Sequence, residues 1–495
     1  MTNKQKRDLH PKEMKRYFAA GRRTARPLAR TESLNSGSLL KKKNDEPTLI
    51  PSEDRVGNSF VGQNVHGTYN AQREYPRVRK QLFVRPGSAS GFSSGTEAAK
   101  QLEAEALRRD PYQIDFLESL CNVTAALAPV IEQTPSYAWV MKQLMEPECF
   151  STFRISWRDD DNNWRMNRGY RIQYSSALGP FRGPIIFDHR LTHGYVRMLG
   201  FEQVLKSALC LEDNWGGAVG GADLDVTNKS PQEIERFSQA YLKSLGTVVA
   251  GIKNQDILDN PAKLDIALGR FAVAFADECS TLLFGSDKLK NKKCVLSGSD
   301  GRSLTIAKNL IKVGAVPVSF SDHTGFLVDE NGFDYEDVVS LEKLMKNKGH
   351  LEDFRHVSKT CVYYPFTSGK SLWETSKGEA CFPTLFTNEI SADDASTLAK
   401  NGTKIVFECK DRACSENAVR VLKDENVFFV PSKLLLASSS EEVSDDRIHT
   451  RVKFLLKEVI NASQAYGFTG DNLQAGASIL AFRRLASSEM FKFKL

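Results

Sequence analysis

The sequence predicts an α/β protein, with a mixed α/β domain followed by a doubly wound parallel-sheet domain and preceded by an extended basic arm. Three observations carry that expectation. Two alternating segments, one with Phe153, Ile155 and Trp157 and the other with Tyr170, Ile172 and Tyr174, flank the turn-rich run DDDNN and predict a β-hairpin. The stretch KKCVLSGSDG reads as a buried strand closing on a glycine turn. A helix around Leu304 to Ile311 and a second strand, AVPVSFSD, follow it, so the segment is a βαβ unit and implies a parallel sheet. By contrast, residues 1–108 show neither a 3.6 nor a 2.0 hydrophobic period and are rich in Ser, Gly, Asn, Pro and basic residues, so they cannot bury enough apolar surface to fold alone.

A chain of 495 residues is too long for one compact core. Hydrophobic residues make up 41% and charged residues 26%, close to soluble averages, and no run of 18 or more apolar residues is present, so no membrane partner is expected. Nine scattered cysteines form no CxxC pair. This is the pattern of reduced thiols in an intracellular protein, with no disulfide frame and no metal site; even the nearest pair, Cys409 and Cys414, has four residues between its members. The net charge of +6 is unevenly placed: residues 1–100 hold twenty Lys and Arg against nine acids, which leaves the rest of the chain net negative.

The folded body is expected from Asp110-Pro111, an N-cap and first-turn pair followed by Ile114, Leu117, Leu120, Cys121 and Leu127 at helical spacing. Strands are expected at Lys404–Glu408 and Val427–Val430, each after a helical stretch, and helices from Arg451 to about Phe491 end the chain. The boundaries read as an arm over 1–108, a first domain over 109–268, a doubly wound domain over 269–440 and C-terminal helices over 441–495 that pack back on the body.

The segment NRGYRIQYSSALGPFRGPIIF, followed by LGFEQVLKSAL and WGGAVGGADLDVTNKSPQEIERFSQAYLKSLG, resembles the substrate domain of the hexameric glutamate dehydrogenases. The likeness resumes at SDHTGFLVDENGF, TNEIS, NGTKIVFE and DNLQAGASILAF, so it covers about residues 110–490. It implies a substrate-type α/β domain, then a Rossmann-like domain.

The family carries a lysine in GGGKGG that polarises the 2-oxo carbon and activates water, and the matching run here is Gly216-Gly217-Ala218-Val219-Gly220-Gly221. An isopropyl group can neither stabilise an oxyanion nor exchange a proton, and losing such a group costs about 10² to 10⁴ in rate. Arg182 stands where the family places the lysine for the distal substrate carboxylate, and Gln203 and Lys206 match the pair that meets the α-carboxylate. Asp256 is the candidate for the proton-relaying aspartate, at an offset of one residue. Only about a dozen residues, between Asp256 and Gly269, replace a longer family segment that helps to frame the cleft.

The dinucleotide fingerprint GSGNVA becomes Gly298-Ser299-Asp300-Gly301-Arg302-Ser303, so a carboxylate replaces the second glycine. The repulsion is roughly 1 to 4 kcal/mol per phosphate charge at about 4 Å. Asp322 lies at a suitable distance in sequence for a ribose contact. The family's EGAN is Glu408-Cys409-Lys410-Asp411, and NAGGV has become Leu436-Ala437-Ser438-Ser439-Ser440.

These departures lead to the expectation of a catalytically inactive structural subunit with no catalytic residues, no cofactor and no nicotinamide binding, retaining only a remnant pocket. Its basic arm, through Arg22, Arg23, Arg26, Arg30, Lys41, Lys42 and Lys43, is expected to anchor it to a large acidic assembly, either a tubulin lattice or ribosomal RNA. The expected location is cytoplasmic, on the cytoskeleton or in a cilium, with the mitochondrion as the alternative. The competing function is a metabolite sensor or an enzyme of altered dicarboxylate specificity that uses Arg182, Gln203 and Lys206.

Overall fold

The computed structural model describes residues 94–488, apart from 211–213, 227–228, 250–255, 259–260, 348, 355–359 and 439–442. The basic cluster Arg22, Arg23, Arg26, Arg30, Lys41, Lys42 and Lys43 lies outside the described residues. The expectation of low intrinsic structure as far as residue 108 needs correcting at its end, because Gly95–Arg109 forms a helix, α1. Ser94 caps it by accepting from the Glu97 amide, and Ala98, Leu102 and Ala106 recur every four residues on its buried face. Alanines give that stripe little hydropathy. It reads as a helix only when the long helix α2, Ile114–Gln133, is packed beside it.

By length and composition α2 could cross a membrane, yet it buries Phe116, Leu120, Val123, Leu127 and Val130 in the protein core. Phe116 meets Phe201 edge to face at 5.8 Å, and the short helix α3 (Tyr137–Leu144) follows α2 and packs against it.

The first sheet contains β1 (Cys149–Arg158), β2 (Trp164–Ser175), β3 (Phe181–Gly183), β4 (Ile185–Phe187), β5 (Gly216–Ala222) and β6 (Asp256–Leu258), in the order β1-β2-β5-β3-β6 with β4 also on β5. The predicted hairpin is β1 and β2, paired antiparallel from Cys149↔Gln173 to Arg158↔Trp164. Ile155 and Trp157 are buried between exposed neighbours and join Phe237 and Tyr241 of α5 (Pro231–Val249). Tyr170, Ile172 and Tyr174 face the other way, into the main core under α4 (His193–Leu209). The second half of β2 is therefore buried on both faces and loses the alternation of its exposed half.

Helix α6 (Pro261–Cys279) runs unbroken past residue 268 into the second sheet's half of the molecule. That sheet is parallel: β7 (Lys293–Leu296), β8 (Val316–Pro317), β12 (Ala380–Phe382), β13 (Ile405–Phe407) and β14 (Phe428–Val430) run in the order β8-β7-β12-β13-β14. Helices α7 (Gly301–Lys312), α9 (Ala392–Lys400) and α10 (Glu416–Asp424) form connections between its strands, while α8 (Tyr335–Lys346) packs beside α7. Strand order reverses between β7 and β12, which opens a crevice at their C-terminal ends.

AVPVSFSD is not one strand. Val316 and Val318 donate to the Lys292 and Cys294 carbonyls on either side of Pro317, whose missing N–H faces away from β7, and beyond them Ser319–Ser321 (β9) joins β10 (Gly325–Val328) and β11 (Val362–Pro365) in a separate antiparallel sheet.

Two C-terminal helices, α11 (Asp445–Ala465) and α12 (Leu473–Ala486), return to the first lobe. Arg484 donates to the carbonyls of Ala208 at 2.9 Å and Cys210 at 3.0 Å, which satisfies acceptors at the end of α4.

Helix α4 packs tightly on β5 at Gly217. A Cβ there would lie 2.5 Å from Val204 Cγ2 and 2.8 Å from Val204 Cα and N. Gly217→Ala should push α4 off β5 and lower unfolding free energy by about 1–3 kcal/mol in urea denaturation.

Burial pushes the carboxyls of Glu389 and Glu408 up to about 7. Glu408 ties the exit of β13 to the turn after β14 by accepting from the amides of Cys414 and Ser432 at 3.0 and 2.9 Å. A raised carboxyl makes the folded protein hold more protons than the unfolded chain between about pH 4.5 and 7. Stability should therefore fall across that window, by up to about 1.4 kcal/mol per pH unit for each group, and level off above it. Glu408→Gln should flatten that slope in denaturation curves taken from pH 4.5 to 7.5.

Candidate functional site

The residues singled out from the sequence fall around one end of the first sheet. Arg182 is the middle residue of β3, 9% exposed, with its guanidinium 4.8 Å over the Trp215 ring. Backbone pairing sets it beside Gly217 on β5 and Ile257 on β6. Asp256 opens β6 opposite Phe181. Gln203 and Lys206 are three residues apart on α4 and share a face of the helix, and Val204 between them packs against Gly217. Val219 pairs with Ile172 and is 2% exposed within the main core, so an apolar side chain suits its position.

Lys206 reaches across to the second lobe. Its Nζ donates to both carboxylate oxygens of Asp411, at 2.8 and 3.1 Å, on the loop that leaves β13. The same loop is fastened at two more points. Thr387 bonds the Tyr195 hydroxyl at 2.7 Å and donates to the Asp411 carbonyl at 2.8 Å. Arg412 donates to the Asp115 carbonyl at 2.7 Å and to Glu118 Oε2 at 2.6 Å. Arg412 is held at φ 50°, a left-handed conformation that costs a side-chain-bearing residue about 1–2 kcal/mol and that its two bonds to α2 offset. Burial pushes the Asp411 carboxyl up, but Lys206, then Lys410 and Arg302, outweigh it and hold the group below the ordinary aspartate range. Asp411 is thus an anion seated on the Lys206 ammonium.

The crevice of the second sheet is built from the turn after β7. Gly298 adopts φ 78°, which glycine tolerates, and a Cβ there would strike Ser303 Oγ and lie 2.5 Å from Thr384 Oγ1. Thr384 donates to the Ser297 carbonyl at 2.6 Å, joining the ends of β7 and β12, and its Oγ1 lies 2.6 Å from Ser303 Oγ. Asp300 is the N-cap of α7 and accepts from the Ser303 amide at 2.9 Å and hydroxyl at 2.8 Å. Its carboxylate therefore satisfies the helix end where a bound anion would sit. Asp322 turns its carboxylate into its own loop, accepting from the Thr324 and Gly325 amides at 2.7 and 3.2 Å.

Four charged residues of this cleft were not picked out from sequence as site residues. Arg302 pairs with Asp265 of α6 at 3.0 Å. Burial raises the Asp265 carboxyl and Arg302 opposes that rise. Lys410 and Asp411 are the others, and their signal was visible: opposite charges side by side at the end of a buried strand, in Glu408-Cys409-Lys410-Asp411. Among the described residues, no group of three or more His, Cys, Asp or Glu is placed to hold a metal ion.

Residues 147–272 match the dimerisation domain of the Glu/Leu/Phe/Val dehydrogenases, and residues 266–492 match the Glutamate/Leucine/Phenylalanine/Valine dehydrogenase family. The chain is 27% identical over 463 residues to an NADP-specific glutamate dehydrogenase of Chlorella sorokiniana, covering 83% of this chain and 87% of that protein. Against the NADP-specific glutamate dehydrogenase of Giardia intestinalis it is 28% identical over 448 residues, covering 79% and 98%. The structure is similar to a Plasmodium falciparum glutamate dehydrogenase, with a TM-score of 0.71 and 25% identity over 81% of this chain and 96% of that one.

These relatives overturn three expectations drawn from the sequence. The chain is not read as a catalytically inactive structural subunit, because proteins similar along most of its length are dehydrogenases. Tubulin and ribosomal RNA have no support as partners, and the exclusion of a nicotinamide cofactor does not stand beside relatives named as NADP-specific. With matches that together run from residue 147 to 492, the chain belongs to the Glu/Leu/Phe/Val dehydrogenase family.

Proposed function

We propose that this chain is an enzyme of altered dicarboxylate specificity within its family. The carrying observation is the Lys206–Asp411 pair: a buried ammonium facing the space between the lobes that already grips a carboxylate by both oxygens. A substrate carboxylate binds there by displacing Asp411, so the resident carboxylate sets a threshold that only a well-matched anion passes. Such an exchange conserves the number of charged hydrogen bonds at Lys206 and avoids leaving the buried cation unpaired. Arg182, one strand away from Gly217, offers the planar fork suited to a second carboxylate. Gln203 adds neutral donors on the same helix face as Lys206.

The backbone of the β7 turn fits a nicotinamide dinucleotide. Gly298 supplies the left-handed residue, and around Gly301 the nearest atom to an added Cβ is Asp265 Oδ2 at 3.7 Å, which leaves room for close approach. The cofactor, when bound, gives or takes a hydride. Gly298, Gly301 and the α7 N-terminus would hold it, and Asp300 must yield the helix end that it caps.

Two predictions follow from these two resident carboxylates. Asp300→Gly should tighten NADP binding by about tenfold in fluorescence titration, by removing a like charge from the phosphate position; unchanged or weaker binding would remove Asp300 from the cofactor turn. Asp411→Asn should tighten glutarate binding by about tenfold in calorimetry, since the Lys206 ammonium is freed, and Lys206→Met should abolish it. If glutarate binds Lys206→Met as well as the unmodified protein, the carboxylate site lies elsewhere.

A further inference from the structure

The turn after β7 brings two charges of opposite sign to the start of α7, and the fold puts them to different uses. Asp300 caps the helix through the Ser303 amide and hydroxyl. Arg302 lies in the first helical turn, where the partial positive charge of the helix end opposes a cation. A guanidinium is comfortable there only beside an anion, and Asp265 of α6 is that anion. Arg302 Nε and Nη2 both donate to Asp265 Oδ1, at 3.2 and 3.0 Å.

Helix packing fixes where that carboxylate sits. Helices α6 and α7 pack closely at Gly269, where a Cβ would come 2.8 Å from Thr305 Cγ2 and 3.4 Å from the Arg302 carbonyl. Asp265 precedes Gly269 by about one turn on the same face of α6, which sets its carboxylate over the start of α7. Leu264 and Leu268 hold this part of α6 against Leu436. Both carboxylate oxygens then face the turn: Oδ1 takes the guanidinium, and Oδ2 lies 3.7 Å from where a Cβ on Gly301 would project. A dinucleotide's pyrophosphate passes over the same glycine backbone at a helix N-terminus. Asp265 thus holds the place of a phosphate, and Arg302 already grips it.

We propose that Arg302 binds the pyrophosphate of the nicotinamide dinucleotide, taking it in exchange for Asp265. This rests on the cofactor reading above and adds to it the residue that offsets Asp300. Each phosphate carries a negative charge that Asp300 and Asp265 repel, and a backbone turn has no full positive charge to answer them. A planar guanidinium meets phosphate oxygens through two parallel N–H bonds, whereas on Asp265 both of its bonds crowd onto one oxygen. Released from the guanidinium, Asp265 loses what opposes the rise of its carboxyl, so it takes a proton more readily and is not left as a bare charge.

The test is fluorescence titration of the full chain with NADPH, and calorimetric titration with 2′-phosphoadenosine, which keeps the adenosine end and lacks the pyrophosphate. Arg302→Met should weaken NADPH binding at least about tenfold, the scale of a charged hydrogen-bond pair, and leave 2′-phosphoadenosine within about twofold, which also reports an intact fold. Arg302→Lys, which keeps the charge without the fork, should fall between. Asp265→Asn should tighten NADPH binding by about threefold or more, and most of that gain should vanish in the Arg302→Met background. A pair that serves only as a structural bridge behaves differently: either single substitution breaks it, so both weaken NADPH binding, and that result overturns the proposal. Equal loss of NADPH and 2′-phosphoadenosine on Arg302→Met overturns it too, by assigning the guanidinium to the other phosphate. If Arg302→Met binds NADPH as tightly as the unmodified protein, the role of Arg302 falls while the cofactor turn stands. If NADPH binds neither the unmodified protein nor Asp300→Gly, both readings fall together.

Discussion

The burial of α4 on nearly every side is the constraint from which the rest of the molecule follows. This helix lies under β2 and β5, beside α2 and α12, and against the single turn Ser432–Leu435 of the second lobe. A helix so enclosed has no wet face for polar side chains, so each must find a partner on a neighbouring element. Arg197 donates to Asp110, Gln113 and the Met145 carbonyl, and its guanidinium lies 4.0 Å over the Phe116 ring. Glu202 accepts from Ser119 and faces Lys433 at 3.5 Å. Tyr195 and Lys206 are satisfied across the lobe boundary by Thr387 and Asp411. The same burial that makes α4 the central strut thus makes it the element that senses both lobes.

Buried ion pairs contribute little net stability, because desolvation cancels much of the Coulomb attraction, whereas breaking one strands an unpaired charge. Their value here is positional. Lys206–Asp411 and Arg412–Glu118 pin one loop, after β13, onto two helices of the first lobe, and Arg412 tolerates a left-handed backbone to do so. A ligand that competes for Lys206 therefore competes with a contact between the lobes. Binding and lobe geometry are linked through one ammonium.

Patterns confined to single elements were legible in the sequence. The β1–β2 hairpin was visible because Ile155 and Trp157 alternate with exposed residues, and the βαβ unit because Cys294, Val295 and Leu296 form a buried run before a glycine turn. The helix α1 was not, since its buried stripe is mostly alanine, and the division of AVPVSFSD between two sheets depends on partner strands that meet only after folding. The pocket residues Arg182, Gln203 and Lys206 could be named from the family resemblance, but their partners could not.

The sequence by itself determined the family, the two α/β lobes, the substitutions at Val219 and Asp300, and the set of charges available to the cleft. These reside in residue identity, local period and order along the chain. Only the tertiary structure decided what the charges do. Asp411 lies 205 positions from Lys206 in the chain and Asp265 lies 37 from Arg302, and no local rule joins them. Asp300 reads in sequence as a lost glycine, but in the fold it is a helix cap.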